Sequence, residues 1–135
     1  MGLDQYAYRI KMANIKDDLS FKTGTLYDNV TKLDDLGNDM DFAYWRKFYP
    51  LDQWMRNLYF NKGGKGEFNR DCIRLDKEEL DKLYNEAQGV DFYEGGYCSS
   101  AQEEKECEYS YLMNFIRRAK EAIDEGDAIY YSNWW

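Results

Sequence analysis

Phe42-Ala-Tyr-Trp-Arg-Lys-Phe-Tyr-Pro-Leu-Asp-Gln-Trp-Met55 switches hydrophobic period half-way along. Before the proline the residues alternate, with Phe42, Tyr44 and Arg46 on one side and Trp45 on the other, which predicts a strand. Pro50, the single proline of the chain, suits the first turn of a helix, where its missing N–H costs nothing. Leu51, Trp54, Met55 and Leu58 then follow at helical spacing. A strand therefore runs into an amphipathic helix, with the adjacent bases Arg46 and Lys47 at the joint.

Upstream, residues 3–12 alternate. Tyr6, Tyr8, Ile10 and Met12 share one face and Gln5, Ala7, Arg9 and Lys11 the other, which predicts a half-exposed strand. Residues 14–24 are polar and turn-like, and Thr25 to Val30 can form a short strand. Residues 33–41 are an acidic loop carrying Asp34, Asp35, Asn38, Asp39 and Asp41. It lacks the alternating ligands, central glycine and distal glutamate of a calcium loop, so a solvated loop is expected.

Downstream, Asn61-Lys-Gly-Gly-Lys-Gly-Glu67 is a basic, glycine-rich loop. It is not a phosphate-binding P-loop, because Lys65 is followed by glycine and not by Ser or Thr; a mobile turn is expected. Cys72 to Leu75 reads as a strand. Asp76 with Glu79 approximates a capping box for a helix whose stripe is Leu80, Leu83, Tyr84 and Ala87, with Gly89 as its stop. Ser100 with Glu103 opens the longest helix, which runs to about Glu125 with Leu112, Phe115, Ile116, Ala119 and Ile123 inward and Tyr109 extending that stripe. Gly126 ends it, and residues 127–135 close the chain as an aromatic strand. Strands and helices do not alternate strictly. The expected fold is α+β: a single compact domain over residues 1–135, with a mixed or antiparallel sheet of about four strands and three helices.

Composition narrows the chemistry. The chain has 135 residues, 44% hydrophobic and 18% aromatic, enough for one ordinary core. It carries a net charge of −8 and no histidine, which removes the commonest general base and a common metal ligand. Charge is unevenly placed: residues 46–74 hold seven basic and three acidic side chains, whereas residues 75–135 hold six and fifteen. An acidic chain repels nucleic acid, so no direct nucleic-acid partner is expected, while a local basic site can still accept a small anion. The cysteines Cys72, Cys98 and Cys107 form no C-x-x-C spacing; without a signal peptide in view, free thiols and no metal are expected. No apolar run reaches the ~20 residues of a membrane span.

Several motifs recur together in one family. The opening Met1-Gly-Leu-Asp-Gln-Tyr-Ala-Tyr8, the segment Tyr44-Trp-Arg-Lys47 with Trp54, the Asp71-Cys72 pair and the closing Ile129-Tyr-Tyr-Ser-Asn-Trp134 resemble small, uncharacterised phage and prophage proteins. These begin MGLD-x-Y, contain Y-W-R-K and end near I-Y-Y-x-S-x-W. The resemblance covers essentially the whole chain and implies a phage origin and a host-cytoplasmic setting. Some members carry the name phosphoglycerate kinase, but 135 residues leave no room for that two-domain enzyme. Many members have a histidine two residues before the helix tryptophan, where Asp52 stands here, so no scheme using that histidine can operate in this protein.

Three functional readings follow. Catalysis would need a serine, cysteine or carboxylate constellation; no catalytic residue stands out, no cofactor is implied, and binding is favoured over an enzyme. A phage accessory protein acting on a host protein, in host takeover or counter-defence, would use the acidic excess, with Glu103, Glu104, Glu106 and Glu108 as partner-binding candidates. The alternative is sequestration of a small anionic, nucleotide-like ligand at Trp45, Arg46, Lys47 and Trp54, which combine aromatic faces with donors. The bland counterpart places both tryptophans in the core with the basic pair outside.

Overall fold

The computed structural model describes residues 2–11, 21–22, 42–64, 67–69, 71–88 and 102–134, and for 21–22 and 102–108 the backbone alone. Among the described residues eight elements follow in order: β1 (Asp4–Lys11), β2 (Phe21–Lys22), β3 (Ala43–Arg46), α1 (Tyr49–Asn61), β4 (Cys72–Leu75), α2 (Lys77–Glu86), α3 (Gln102–Asp124) and β5 (Asp127–Trp134). The strands form one sheet in the order β2-β4-β5-β1-β3, and every pairing is antiparallel. This is the expected α+β arrangement with three helices, the sheet having four strands of four residues or more and the two-residue β2 at one edge. β2 lies within the stretch expected to be turn-like. The expected strand at 25–30, the acidic loop at 33–41 and the Ser100 cap lie outside the described residues.

The helices share one face of the sheet. Ala7, Ala43, Trp45, Ile73, Leu75, Ile129 and Tyr131 on that face pack with Leu51, Met55 and Tyr59 of α1, Leu80 and Leu83 of α2, and Leu112, Phe115, Ile116 and Ala119 of α3. The opposite face has its own buried cluster of Tyr8, Ile10, Cys72, Ala128 and Tyr130, with Tyr6 packed against it. β1 is therefore not half-exposed. Its period of two holds, but Gln5 and Ala7, assigned to the solvent side by their neighbours Arg9 and Lys11, are fully buried under the helices. β5 pairs along its whole length with β1 and over four residues with β4, which makes it the central strand.

Local chemistry explains the ends. Pro50 is the second residue of α1, where no N–H is needed. Asp76 and Glu79 form both halves of a capping box, with Asp76 Oδ1 accepting from the Glu79 N–H at 2.7 Å and Glu79 Oε1 from the Asp76 N–H at 3.0 Å. α3 stops at Gly126, whose φ of +94° a side chain would strain.

After α1 the glycine-rich turn is fastened and not loose over residues 62–64. Gly64 N–H donates to Tyr59 O at 2.9 Å, and a Cβ on Gly64 would overlap the Tyr59 ring. Phe68 stacks on Tyr59 with centroids 4.7 Å apart, and the Tyr59 hydroxyl donates to Asp71 at 3.1 Å. Lys62 pairs with Glu79 at 2.7 Å, which ties the turn to the start of α2.

Two tyrosines expected in helical core stripes are on the surface. Tyr84 is 45% and Tyr109 39% exposed. Leu80, Leu83 and Ala87 complete the buried side of α2, and α3 uses Ala122 beside Leu112, Phe115, Ile116 and Ala119.

Candidate functional site

The β3–α1 joint turns on Lys47, whose φ of +57° places a non-glycine residue in the left-handed region. Its N–H is held by Leu3 O at 2.8 Å. Arg46 and Lys47 are both exposed. Their side chains converge on one point: a Cβ built on Gly2 would lie 3.6 Å from Arg46 Nη2 and 4.0 Å from Lys47 Cε. Neither enters an ion pair with another described residue.

The two tryptophans lie elsewhere. Trp45 is 5% exposed, edge-on to Phe115 and Tyr111 at 5.0 and 5.6 Å between centroids, and its Nε1–H has no hydrogen-bond partner among the described residues. It is a core residue and offers no open ring face. Trp54 is half-buried on α1, and its indole N–H donates to Glu86 of α2. It edges a groove of about 210 Å³ together with Asn57, Leu58, Asn61, Glu79, Lys82 and Glu86. Trp45, Arg46 and Lys47 do not line that groove. Of the four ligand candidates, the structure brings Arg46 and Lys47 together and leaves each tryptophan in its own setting.

Glu103, Glu104, Glu106 and Glu108 all fall on the first two turns of α3; their side chains lie outside the described residues. Further along α3, Met113, Ile116, Arg117, Lys120, Glu121 and Asp124 join Tyr84 of α2 around a groove of about 440 Å³. Lys120–Asp81 and Lys77–Asp124 ion pairs link the two helices beside it. Cys72 is buried and in no disulfide with another described residue, and Cys98 and the Cys107 side chain lie outside the described residues. Among the described residues there is no cluster that could hold a metal ion, and no helix is long and apolar enough to cross a membrane.

A polar cluster that the sequence pattern did not reveal sits beneath α1. Asp52 is 3% exposed, and its Oδ1 accepts from Asn133 Nδ2 at 2.7 Å and from the Tyr131 hydroxyl at 2.9 Å. Its Oδ2 accepts from Arg56 at 3.1 Å. Gln5 completes the cluster, donating to Tyr131 Oη and Phe48 O at 3.0 Å each and accepting from the Phe48 N–H at 2.8 Å. Burial raises the Asp52 pKa, and the hydrogen bonds from Asn133 and Tyr131 with the nearby Arg56 charge oppose that rise. Tyr131 is raised well above its ordinary value, first by burial and then by the Asp52 charge. One signal was available: Asp52, Met55 and Tyr59 recur at i, i+3 and i+7, so a carboxylate occupies an otherwise apolar stripe.

The groups around Asp52 are donors aimed at one carboxylate. The cluster joins α1 to β1 and β5 from inside. Comparison with protein-family models, curated proteins and solved structures found no match.

Proposed function

We propose that this chain is a phage accessory protein that acts by binding a host protein, in host takeover or counter-defence, through its helical face. The observation that carries the reading is the exposure of Tyr84 and Tyr109 on α2 and α3, where helical spacing alone would have buried them. Tyrosine offers large area and a polar tip at low entropic cost, and is enriched where proteins meet. Between these helices lies the groove floored by Met113 and Ile116. Glu103, Glu104, Glu106 and Glu108 follow one another on the first turns of the same helix, so a basic partner would be steered towards it. The motif resemblance to phage proteins supports the biological setting.

Affinity capture from host lysate tests this reading. A protein should be retained stoichiometrically, and Tyr84→Ala with Tyr109→Ala should accelerate its dissociation. Reversing the four glutamates to lysine should slow association, increasingly at low salt. Capture unchanged in both variants, or turnover of a lysate metabolite with no retained protein, would overturn the proposal.

A second reading, a small anionic ligand, is favoured by the convergence of Arg46 and Lys47 over Gly2. It requires a different aromatic surface from the one expected.

A further inference from the structure

On the face of the sheet away from the helices, the register aligns three chemistries in one row. Trp134 of β5 and Arg46 of β3 are the Cα partners of Asp4 of β1, on either side of it. Adjacent strands are roughly 4.8 Å apart, so about 10 Å separates the Trp134 and Arg46 backbones. In the next row on that face, Tyr6 lies between Tyr44 and Ser132. Trp134 is 53% exposed, while Tyr6 and Tyr44 are half-buried with centroids 5.3 Å apart.

We propose that this row is a binding site for a nucleoside monophosphate, with the base on Trp134, the ribose at Asp4 and the phosphate at Arg46 and Lys47. The proposal deepens the small-anion reading and is independent of the helical face. Each part follows from the groups present. An exposed indole is a stacking surface that any base can use. Asp4 is a carboxylate acceptor positioned for ribose hydroxyls, and the 2.6 Å hydrogen bond from the Tyr44 hydroxyl holds it in place. The same bond, followed by burial, keeps Tyr44 protonated by raising its pKa to about 12.

Arg46 and Lys47 supply two positive charges beside one point of backbone, without an ion-pair partner among the described residues. A phosphate monoester carries about −1.5 to −2 at neutral pH, which matches them. The backbone at Lys47 is left-handed, and its Cε and the Arg46 guanidinium both lie beside Gly2. A net charge of −8 opposes a long polyanion, so the site selects a mononucleotide over a nucleic acid strand.

Titration of the purified protein with AMP, adenosine, inorganic phosphate and a twelve-residue oligothymidylate, followed by tryptophan fluorescence and calorimetry, tests the site. AMP should quench saturably, with adenosine and phosphate each at least about tenfold weaker, because each lacks half of the contacts. Arg46→Ala should weaken AMP about tenfold and leave adenosine unchanged. Trp134→Leu should weaken both nucleoside and nucleotide. Should that variant misfold, amide shifts of the unaltered protein with AMP replace it, and these should centre on Gly2, Asp4, Tyr6, Tyr44 and Arg46. Phosphate binding as tightly as AMP, AMP binding undiminished in Arg46→Ala, shifts centred on α2 and α3, or tighter binding of the oligonucleotide would each overturn the proposal. So would the absence of saturable AMP binding.

Discussion

Replacing Asp52 by alanine should be among the most damaging single changes in this chain. Three donors converge on the carboxylate, and two of them, the Tyr131 hydroxyl and Asn133 Nδ2, are buried. Removing the acceptor leaves both without an outlet to water, at about 1–3 kcal/mol for each stranded group. Relief of the buried charge offsets part of this, and Arg56 can turn to solvent because its side chain is 35% exposed. A net loss of about 2–4 kcal/mol is expected, a large fraction of the ~5–15 kcal/mol typical of a domain. Asp52→Asn retains an oxygen for both buried donors and should cost less than about 1 kcal/mol.

Urea unfolding followed by tryptophan fluorescence measures both variants; alanine should lower the midpoint by on the order of 1–2 M. The comparison also has a pH signature. The folded-state pKa of Asp52 is raised above 3.8, so between that value and the raised one the folded protein binds the extra proton. Its contribution is full below 3.8 and is lost as pH rises through the folded pKa. Asp52→Asn should therefore gain on the parent protein as pH rises through that window. Equal cost for alanine and asparagine, or a stability gap that does not move with pH, would refute the reasoning.

Gly64→Ala should destabilise by about 1–3 kcal/mol, read by thermal melting, because its Cβ would overlap the Tyr59 ring, which Phe68 backs. Asp76→Ala removes one half of the capping box at α2 and should cost about 1 kcal/mol in the same assay. Deleting residues 128–135 strips out the strand that joins β1 to β4, and the product should show no cooperative unfolding transition by circular dichroism.

Most of the fold was legible because its elements keep clean periods. β3 running into Pro50 and α1, the capping box at Asp76, and Gly126 between α3 and β5 all stand where local rules put them. What misled was the value given to particular side chains. Tyr84 and Tyr109 count as apolar in a helical stripe, yet a phenol tolerates water and the leucines and alanines beside them suffice for the core. Gln5 counts as polar and went to the solvent side, although the Phe48 backbone and the Tyr131 hydroxyl satisfy its amide inside. The four ligand candidates are divided for a similar reason. Arg46 and Lys47 do converge, but Trp45, next to them in sequence, points to the opposite face because a strand alternates. Trp134, 88 residues further on from Arg46, shares that face with Tyr44 and Tyr6, and the register of β5 on β1 brings it there.

The start of α1 shows why such features escape a local reading. Phe48 stands at the N-cap and supplies no side-chain hydrogen bond to the helix. The amide of Gln5, a residue of β1 and 43 positions away, instead grips both the N–H and the carbonyl of Phe48. Asp52, one turn into the helix, then anchors to Tyr131 and Asn133 of β5. The entry of α1 is thus fixed by the two strands beneath it, and Lys47 is caught between this grip and the Leu3 carbonyl. That gives a physical reason for a left-handed lysine to persist: it is held from both sides, and relaxing it would cost the Leu3 hydrogen bond. The buried cluster on one face of the sheet consequently sets the position of the two basic side chains on the other, and loosening the first should blur the second without any contact between them.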